Sequence, residues 1–299
     1  ALFRDPPARD LAALGDRARA ACYEVSSTAT TTTRNTTATR ACLVWLHGNG
    51  EIPQEYTALL DKHVLAPLAR DAGLDVKLVM PTPLAPEVEA DNTEEDNAEH
   101  TDWFGLDDAT WRTAYLGGAP AILAAGELRS EADVGMLGEL EAAADWVAAV
   151  VEHEAAQLAG EAAKNIVVAG FAHGGVVAQY AALAKLTTPV AAVVAVDAPC
   201  LLPGFLKTKT KPHLQETPLV CLAGGANDVL PAHAQRAAAA ALTQAAATAG
   251  GADASASSST TTTPGGVPVS FRVVDGGRHE VGVLEAAALA DAIQQTLSK

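Results

Sequence analysis

Residues 165–180, NIVVAGFAHGGVVAQY, constrain the fold of this 299-residue chain more than any other stretch of its sequence. The branched apolar run at 165–170 is typical of a buried strand, and GGVVAQYAALAKL at 174–186 has the apolar spacing of a helix. Only a tight, glycine-rich turn separates the two. An abrupt strand-to-helix junction of this kind indicates α/β architecture, in which helices cover a parallel sheet.

The same alternation of apolar strands and helices runs through the rest of the chain. Further strands are predicted at 22–27, 41–47, 75–81, 190–197, 218–225 and 267–275, and further helices at 53–73, 131–158, 231–247 and 280–297. Continuous apolar strands between helices predict a mostly parallel, doubly wound sheet with helices on both faces. We expect one domain over 1–299, with low-complexity Ser/Thr inserts near 28–40 and 250–266. The first insert is predicted to be a hairpin loop between the first two strands.

Charge and composition exclude several kinds of partner. The net charge of −16 argues against nucleic acid and against electrostatic docking on anionic lipid, since both need clustered Lys and Arg. We find no signal peptide and no apolar run long enough to span a membrane, and we therefore expect a cytoplasmic protein without stable membrane insertion. No C-x-x-C pair or paired histidines occur, so we predict no metal and no cofactor. The oligomeric state and the role of the acidic segment 87–108 stay open.

Reactive groups of a doubly wound sheet collect at the carboxyl ends of its strands. After the strand at 165–169 comes GFAHGG, which has the frame of the nucleophile elbow G-x-S-x-G with Ala172 where serine would stand. Such a turn forces its central residue into a strained backbone conformation that points into the site. The alternative is an ordinary glycine turn with alanine as filler.

Three other loops follow strands and carry polar groups. His47-Gly48-Asn49-Gly50 is placed to supply one N–H of an oxyanion hole, Asp228 to orient an imidazole, and His279 to act as a base. Each has a structural alternative: a glycine turn, a helix N-cap and a solvated loop histidine. The order of nucleophile position, acid and histidine at 172, 228 and 279 is nevertheless that of the α/β-hydrolases. Asp197, at the end of another strand, is an alternative acid.

The chain resembles the acyl-protein thioesterase/carboxylesterase (phospholipase–carboxylesterase) family of α/β-hydrolases. The motifs that carry the resemblance are LVWLHGNGE (43–51), VMPTPLAP (79–86), DWFGL (102–106), VVAGFAHGG (167–175), GANDVLP (225–231) and GGRHEV (276–281). The family usually has serine at 172 and commonly glutamine at 173. The first departure removes the nucleophile, whereas the second keeps the backbone N–H that does the work there.

The resemblance implies a role for each matched residue. Asp228 and His279 would be the triad acid and base beside the nucleophile position Ala172. Asn49 and His173 would form the oxyanion hole through their backbone N–H groups. Substrate-binding residues would be Trp103, Phe104 and Gly48. The implied substrate is an acyl ester or thioester, carried by a small molecule, a lipid or an S-acylated protein.

Three functional hypotheses follow from the alanine. The first is a serine esterase or thioesterase whose serine at 172 has been replaced, so that this chain is inactive or nearly so. The second is a natural, non-catalytic hydrolase fold that binds a ligand or a protein. The third is an enzyme in which His279 and Asp228 activate water or assist an elimination without serine. The first is preferred from the sequence, because the oxyanion loop, acid and histidine all remain.

Overall fold

The computed structural model of the chain contains a seven-stranded sheet within the residues that the structure describes, which are 22–26, 39–83, 102–105, 131–158, 162–198, 216–249 and 268–298. The strand order is β1-β3-β2-β4-β5-β6-β7. The strands are β1 (Cys22–Ser26), β2 (Thr39–Leu46), β3 (Leu74–Pro81), β4 (Ile166–Phe171), β5 (Ala192–Val196), β6 (Leu219–Gly224) and β7 (Val269–Val274). Six strands are parallel to one another, and β1 joins the edge antiparallel to β3.

Helices lie on both faces of the sheet. They are α1 (Pro53–Leu60), α2 (Ala66–Asp71), α3 (Glu131–Gln157), α4 (Ala172–Tyr180), α5 (Ala232–Ala249) and α6 (Val283–Leu297). A π-helical turn, Asp61–Leu65, joins α1 to α2, and another, Ala181–Lys185, follows α4. Buried side chains of α3, α4 and α5 pack on one face, and those of α1, α2 and α6 pack on the other.

Strand β4 shows why the central strands are apolar at every position. Ile166 and Val168 contribute to the core on one face, while Val167, Ala169 and Phe171 contribute to the core on the other. Successive side chains of a strand point to opposite faces, so a strand covered on both sides cannot alternate apolar with polar residues. The predicted mostly parallel, doubly wound sheet is confirmed.

The predicted hairpin between the first two strands is wrong. β1 pairs with β3, with Cys22 opposite Pro81 and Ser26 opposite Lys77, and β3 lies between β1 and β2. Strands that are close in sequence often pair as a hairpin. Here the position beside β2 is occupied by β3, which pairs with β2 in parallel. Both Ser/Thr inserts fall largely outside the described residues, so the single domain over 1–299 stays a prediction. No helix in the described part of the chain is long and apolar enough to cross a membrane.

Candidate functional site

The junction between β4 and α4 has the geometry of a nucleophile elbow. β4 ends at Phe171 and α4 begins at Ala172, with no residue between them. A Cβ atom on Gly170 would lie 2.5 Å from the backbone carbon of Gly174, and one on Gly175 would lie 2.4 Å from the Cβ of Ala198. Real Cβ atoms do not approach other atoms so closely, so the tight turn requires glycine at both positions.

Ala172 occupies the tip of this elbow in a left-handed conformation, with a φ of 48°. For a residue with a Cβ this conformation costs about 1–2 kcal/mol. Such strain is found chiefly at functional sites, where the surrounding structure enforces it. The elbow therefore keeps the backbone of a nucleophile position, although its side chain is a methyl group.

The loop after β2 lies directly against the first turn of α4. A Cβ atom on Gly174 would be 2.4 Å from the carbonyl oxygens of both Leu46 and His47. This contact brings the turn that carries Asn49 next to His173, the two predicted oxyanion donors. His173 is the second residue of α4, and the N–H groups of a first helical turn have no acceptor within the helix itself. We call residues 46–51 and 170–175 together the elbow side of the site.

A half-buried carboxyl group fixes the shape of the oxyanion loop. The Gly48 N–H donates to Oε2 of Glu51 at 2.7 Å, and the Tyr56 hydroxyl donates to the same oxygen. Burial raises the pKa of Glu51, and the two hydrogen bonds oppose that rise. Gly48 is a predicted substrate-binding residue, and its N–H is already used within the loop. A Cβ atom at Gly48 would also collide with Glu51 and with the ring of Phe171.

His47 is buried beneath this loop in its neutral form. Its Nδ1–H donates to the carbonyl of Gly48 at 2.7 Å, since a carbonyl oxygen can only accept. Desolvation lowers the pKa of His47 below its ordinary value of about 6.5. Its ring lies 5.3 Å from that of Trp103, centroid to centroid.

Trp103 and Phe104, predicted to line the substrate pocket, do lie beside the elbow side. The indole Nε1–H of Trp103 donates to the carbonyl of His47 at 2.9 Å. Phe104 meets the ring of His173 edge-on, with the centroids 4.9 Å apart. Both side chains are buried, and both belong to the hydrophobic core. Their contacts support the two backbone donors, and a direct contact with substrate stays a prediction.

The loops after β6 and β7 carry the other half of the site, and we call residues 224–230 and 275–281 the triad side. Backbone hydrogen bonds connect the two loops, with the Ala226 N–H donating to the carbonyl of Gly277 at 2.8 Å. A Cβ atom on Gly224 would lie 2.7 Å from that same carbonyl oxygen. The ring of His279 packs 5.0 Å from that of Phe171, which directly precedes Ala172. The predicted base therefore contacts the residue that precedes the nucleophile position.

The side chain that reaches His279 from the β6 loop is that of Asn227. Its Nδ2 lies 3.1 Å from Nδ1 of His279. The predicted acid, Asp228, is one residue further along and is exposed to solvent. Asn227, by contrast, is buried, so the inward position in this loop belongs to the asparagine. The assignment of Asp228 as the triad acid is not supported by this geometry.

Asp197, the alternative acid, is buried in a different set of contacts at the end of β5. One carboxylate oxygen accepts from the Gly224 N–H at 2.8 Å and from the side-chain amide of Gln235 at 3.0 Å. Its φ of 45° places it in the left-handed region, like Ala172. Asp197 thus holds the end of β6, from which the Asn227 loop begins.

Two residues of the site carried no prediction from the sequence. The sequence gives no signal for Asn227, because a triad acid is normally an aspartate or glutamate and Asp228 is the adjacent residue. Glu51 lies inside the LVWLHGNGE motif, and its separation of three residues from Gly48 was the available signal for a carboxylate that closes the loop.

Comparison with known proteins agrees with this geometry. Residues 138–260 match the family model described as Phospholipase/Carboxylesterase. No curated protein sequence matches the chain significantly. Among solved structures, the acyl-protein thioesterase 2 of Zea mays is 18% identical with a TM-score of 0.57, covering 92% of this chain and 98% of that one.

Two further structures show the same fold. SOBER1 of Arabidopsis thaliana is 16% identical with a TM-score of 0.59, covering 86% of this chain and 99% of that one. A phospholipase/carboxylesterase of Dyadobacter fermentans is 15% identical with a TM-score of 0.54, covering 91% and 95%. The chain therefore has the α/β-hydrolase fold and resembles the phospholipase/carboxylesterase family.

Proposed function

We propose that this chain is a ligand-binding member of the α/β-hydrolase fold that holds an acyl compound without hydrolysing it. The observation that carries the proposal is the contact between Asn227 and His279, 3.1 Å long, in a site whose nucleophile position is Ala172. Two of the three triad positions therefore lack the group that acyl transfer needs. A serine hydrolase requires a hydroxyl to attack the carbonyl and a carboxylate to stabilise the imidazolium.

The alanine at 172 and the asparagine at 227 together favour the second hypothesis, a natural non-catalytic fold, over the first. A single replacement of serine would leave an aspartate against His279, whereas the inward residue is an asparagine. A natural, non-catalytic fold accounts for both changes, because neither a hydroxyl nor a carboxylate is needed to hold a ligand. The left-handed tip of the elbow supports a binding role, because strained backbone of this kind occurs mainly at functional sites.

The proposal is tested by incubating the purified chain with the octanoyl thioester of N-acetylcysteamine. We expect saturation-transfer NMR signals from bound thioester, and we expect the thioester to stay intact over hours. The variant His279→Ala should lose binding, whereas His233→Ala, at an exposed position on α5, should keep it. Hydrolysis that depends on His279, or binding that is equal in both variants, would contradict the proposal.

A further inference from the structure

One buried carboxylate oxygen holds both ends of the loop after β6. Oδ1 of Asp197 accepts directly from the N–H of Gly224, where β6 ends, at 2.8 Å. The same oxygen accepts from the side-chain amide of Gln235 at 3.0 Å, and that amide also donates to the carbonyl of Leu230, at the end of the loop, at 2.9 Å. The loop of residues 224–230 is therefore closed at its two ends through Asp197.

The amide of Gln235 can meet these partners in only one orientation. The carbonyl of Leu230 can only accept, so the atom that meets it is Nε2, whose second hydrogen is left for Asp197. Gln235 is itself buried, on the first turn of α5. Its contacts therefore tie the loop to that helix and to the end of β5 at the same time.

Leu230 passes this restraint on to the residue that faces His279. Its side chain is fully buried in the core, and its N–H donates to Oδ1 of Asn227 at 2.8 Å. The N–H of Val229 donates to the same oxygen at 3.0 Å. Two donors on Oδ1 turn the amide nitrogen of Asn227 toward His279, 3.1 Å away. A continuous series of hydrogen bonds therefore runs from Asp197 to His279.

Asp197 carries costs that packing alone does not explain. Its side chain is fully buried, and its second oxygen, Oδ2, has no hydrogen-bond partner among the described residues. Its φ of 45° adds backbone strain. Burying a carboxylate with one oxygen unpaired is unfavourable, and strained backbone is found chiefly at functional sites. Asp197 is therefore better explained by what it positions than by what it adds to stability.

We infer that Asp197 and Gln235 are positioning residues, which fix the path of the loop after β6. Through that path they keep Asn227, rather than the exposed Asp228, against His279. With both ends of the loop held, the residue that it turns inward is fixed as well. The inference goes beyond the proposed function, since it concerns which side chain the loop presents and not which compound the site binds.

The first readout is the final hydrogen bond of the series, seen as a ¹⁵N–¹⁵N coupling between Nδ2 of Asn227 and Nδ1 of His279. It is measured in the full ¹⁵N-labelled chain at about pH 8, where imidazole side chains are ordinarily neutral. Q235M keeps the length of the buried side chain but removes both donated hydrogens, and we expect the coupling to disappear. D197N keeps an acceptor oxygen for Gly224 and Gln235, and we expect the coupling to remain.

V64A separates positioning from general destabilisation. Val64 is fully buried in the core on the other face of the sheet from Leu230, and its replacement lowers stability by leaving a small cavity. We expect V64A to keep the coupling at temperatures below its unfolding transition. A coupling that persists in Q235M, or that is lost in D197N or V64A, would overturn the inference.

Esterase activity gives a second readout, in variants that contain A172S. Adding N227D should raise the kcat for 4-nitrophenyl butyrate only where the loop directs position 227 at His279. We expect Q235M to reduce that gain about tenfold or more, since misplacing a catalytic group by about 1 Å is costly, and V64A to leave it unchanged. An equal gain with and without Q235M would overturn the inference, and if N227D gives no gain the coupling alone decides it. Thioester binding by the unmodified chain tests the proposed function separately, and its failure would leave the result of the coupling intact.

Discussion

The two sides of the site differ in what they have kept. The elbow side retains tight glycine contacts and a left-handed tip, both of them properties of the backbone. The triad side retains its loops and His279, but the residue that meets the histidine is Asn227. Backbone geometry is fixed by the fold and is costly to lose, whereas a side-chain function can be removed by one atom. This difference between the two sides is the basis of the proposed binding function.

Restoring the serine at 172 and a carboxylate at 227 is expected to give the largest effect, a gain of esterase activity. A172S alone places a hydroxyl on the elbow but leaves the amide of Asn227, not a carboxylate, against His279, so we expect only weak hydrolysis of 4-nitrophenyl butyrate. Adding N227D to A172S should raise kcat about 10³–10⁴-fold, as expected when an asparagine that orients a catalytic histidine becomes an aspartate. Equal kcat values for A172S and for A172S with N227D would contradict this prediction, because Asn227 would then not limit the action of His279.

Replacing a tightly packed glycine on the elbow side is expected to lower the free energy of unfolding. In G174A the new Cβ would lie 2.4 Å from two carbonyl oxygens of the chain, which cannot move aside, and we expect a loss of about 3 kcal/mol in the free energy of unfolding. Gly138, exposed on α3, has no atom within 4 Å of such a Cβ, so G138A should gain about 0.5–1 kcal/mol. Urea denaturation compares the two, and similar effects of both would argue against a tightly packed elbow.

The smallest expected effect is a pH dependence that comes from His47. Its pKa is lowered in the folded chain by burial, so the unfolded chain takes up the proton first as the pH falls. The stability contributed by neutral His47 is therefore complete above about pH 6.5 and is lost as the pH falls through the folded pKa. H47Q should flatten the fall in unfolding free energy between about pH 7 and 5, and H233Q should not. Identical slopes in all three proteins would rule out a buried neutral histidine under the oxyanion loop.

Much of the fold follows from the sequence because its strands are covered on both faces. Ile166–Phe171 is apolar at every position, and the helices around it have the spacing of one buried face, so local pattern and tertiary structure agree. The elbow follows from glycines whose positions a tight turn dictates. The position of β1 does not follow, because strand pairing at a sheet edge depends on contacts distant in sequence.

The triad side shows how far the site can be predicted from the sequence. The sequence order predicts that the β6 loop meets His279, and the structure brings that loop to the histidine. Which residue of the loop points inward depends on φ and ψ of a short irregular segment, and Asp228 has the chemistry while Asn227 has the position. Residue type alone therefore favours Asp228, whereas the contact with His279 is made by its neighbour Asn227.

The most direct measurement is the turnover of 4-nitrophenyl butyrate by the unmodified chain beside its H279A variant. Without a nucleophile, and with an amide in place of a carboxylate beside His279, we expect the two proteins to hydrolyse the ester at the same low rate, close to that of buffer. A higher rate in the unmodified chain that disappears in H279A would contradict the account, because His279 would then be activating water without a serine.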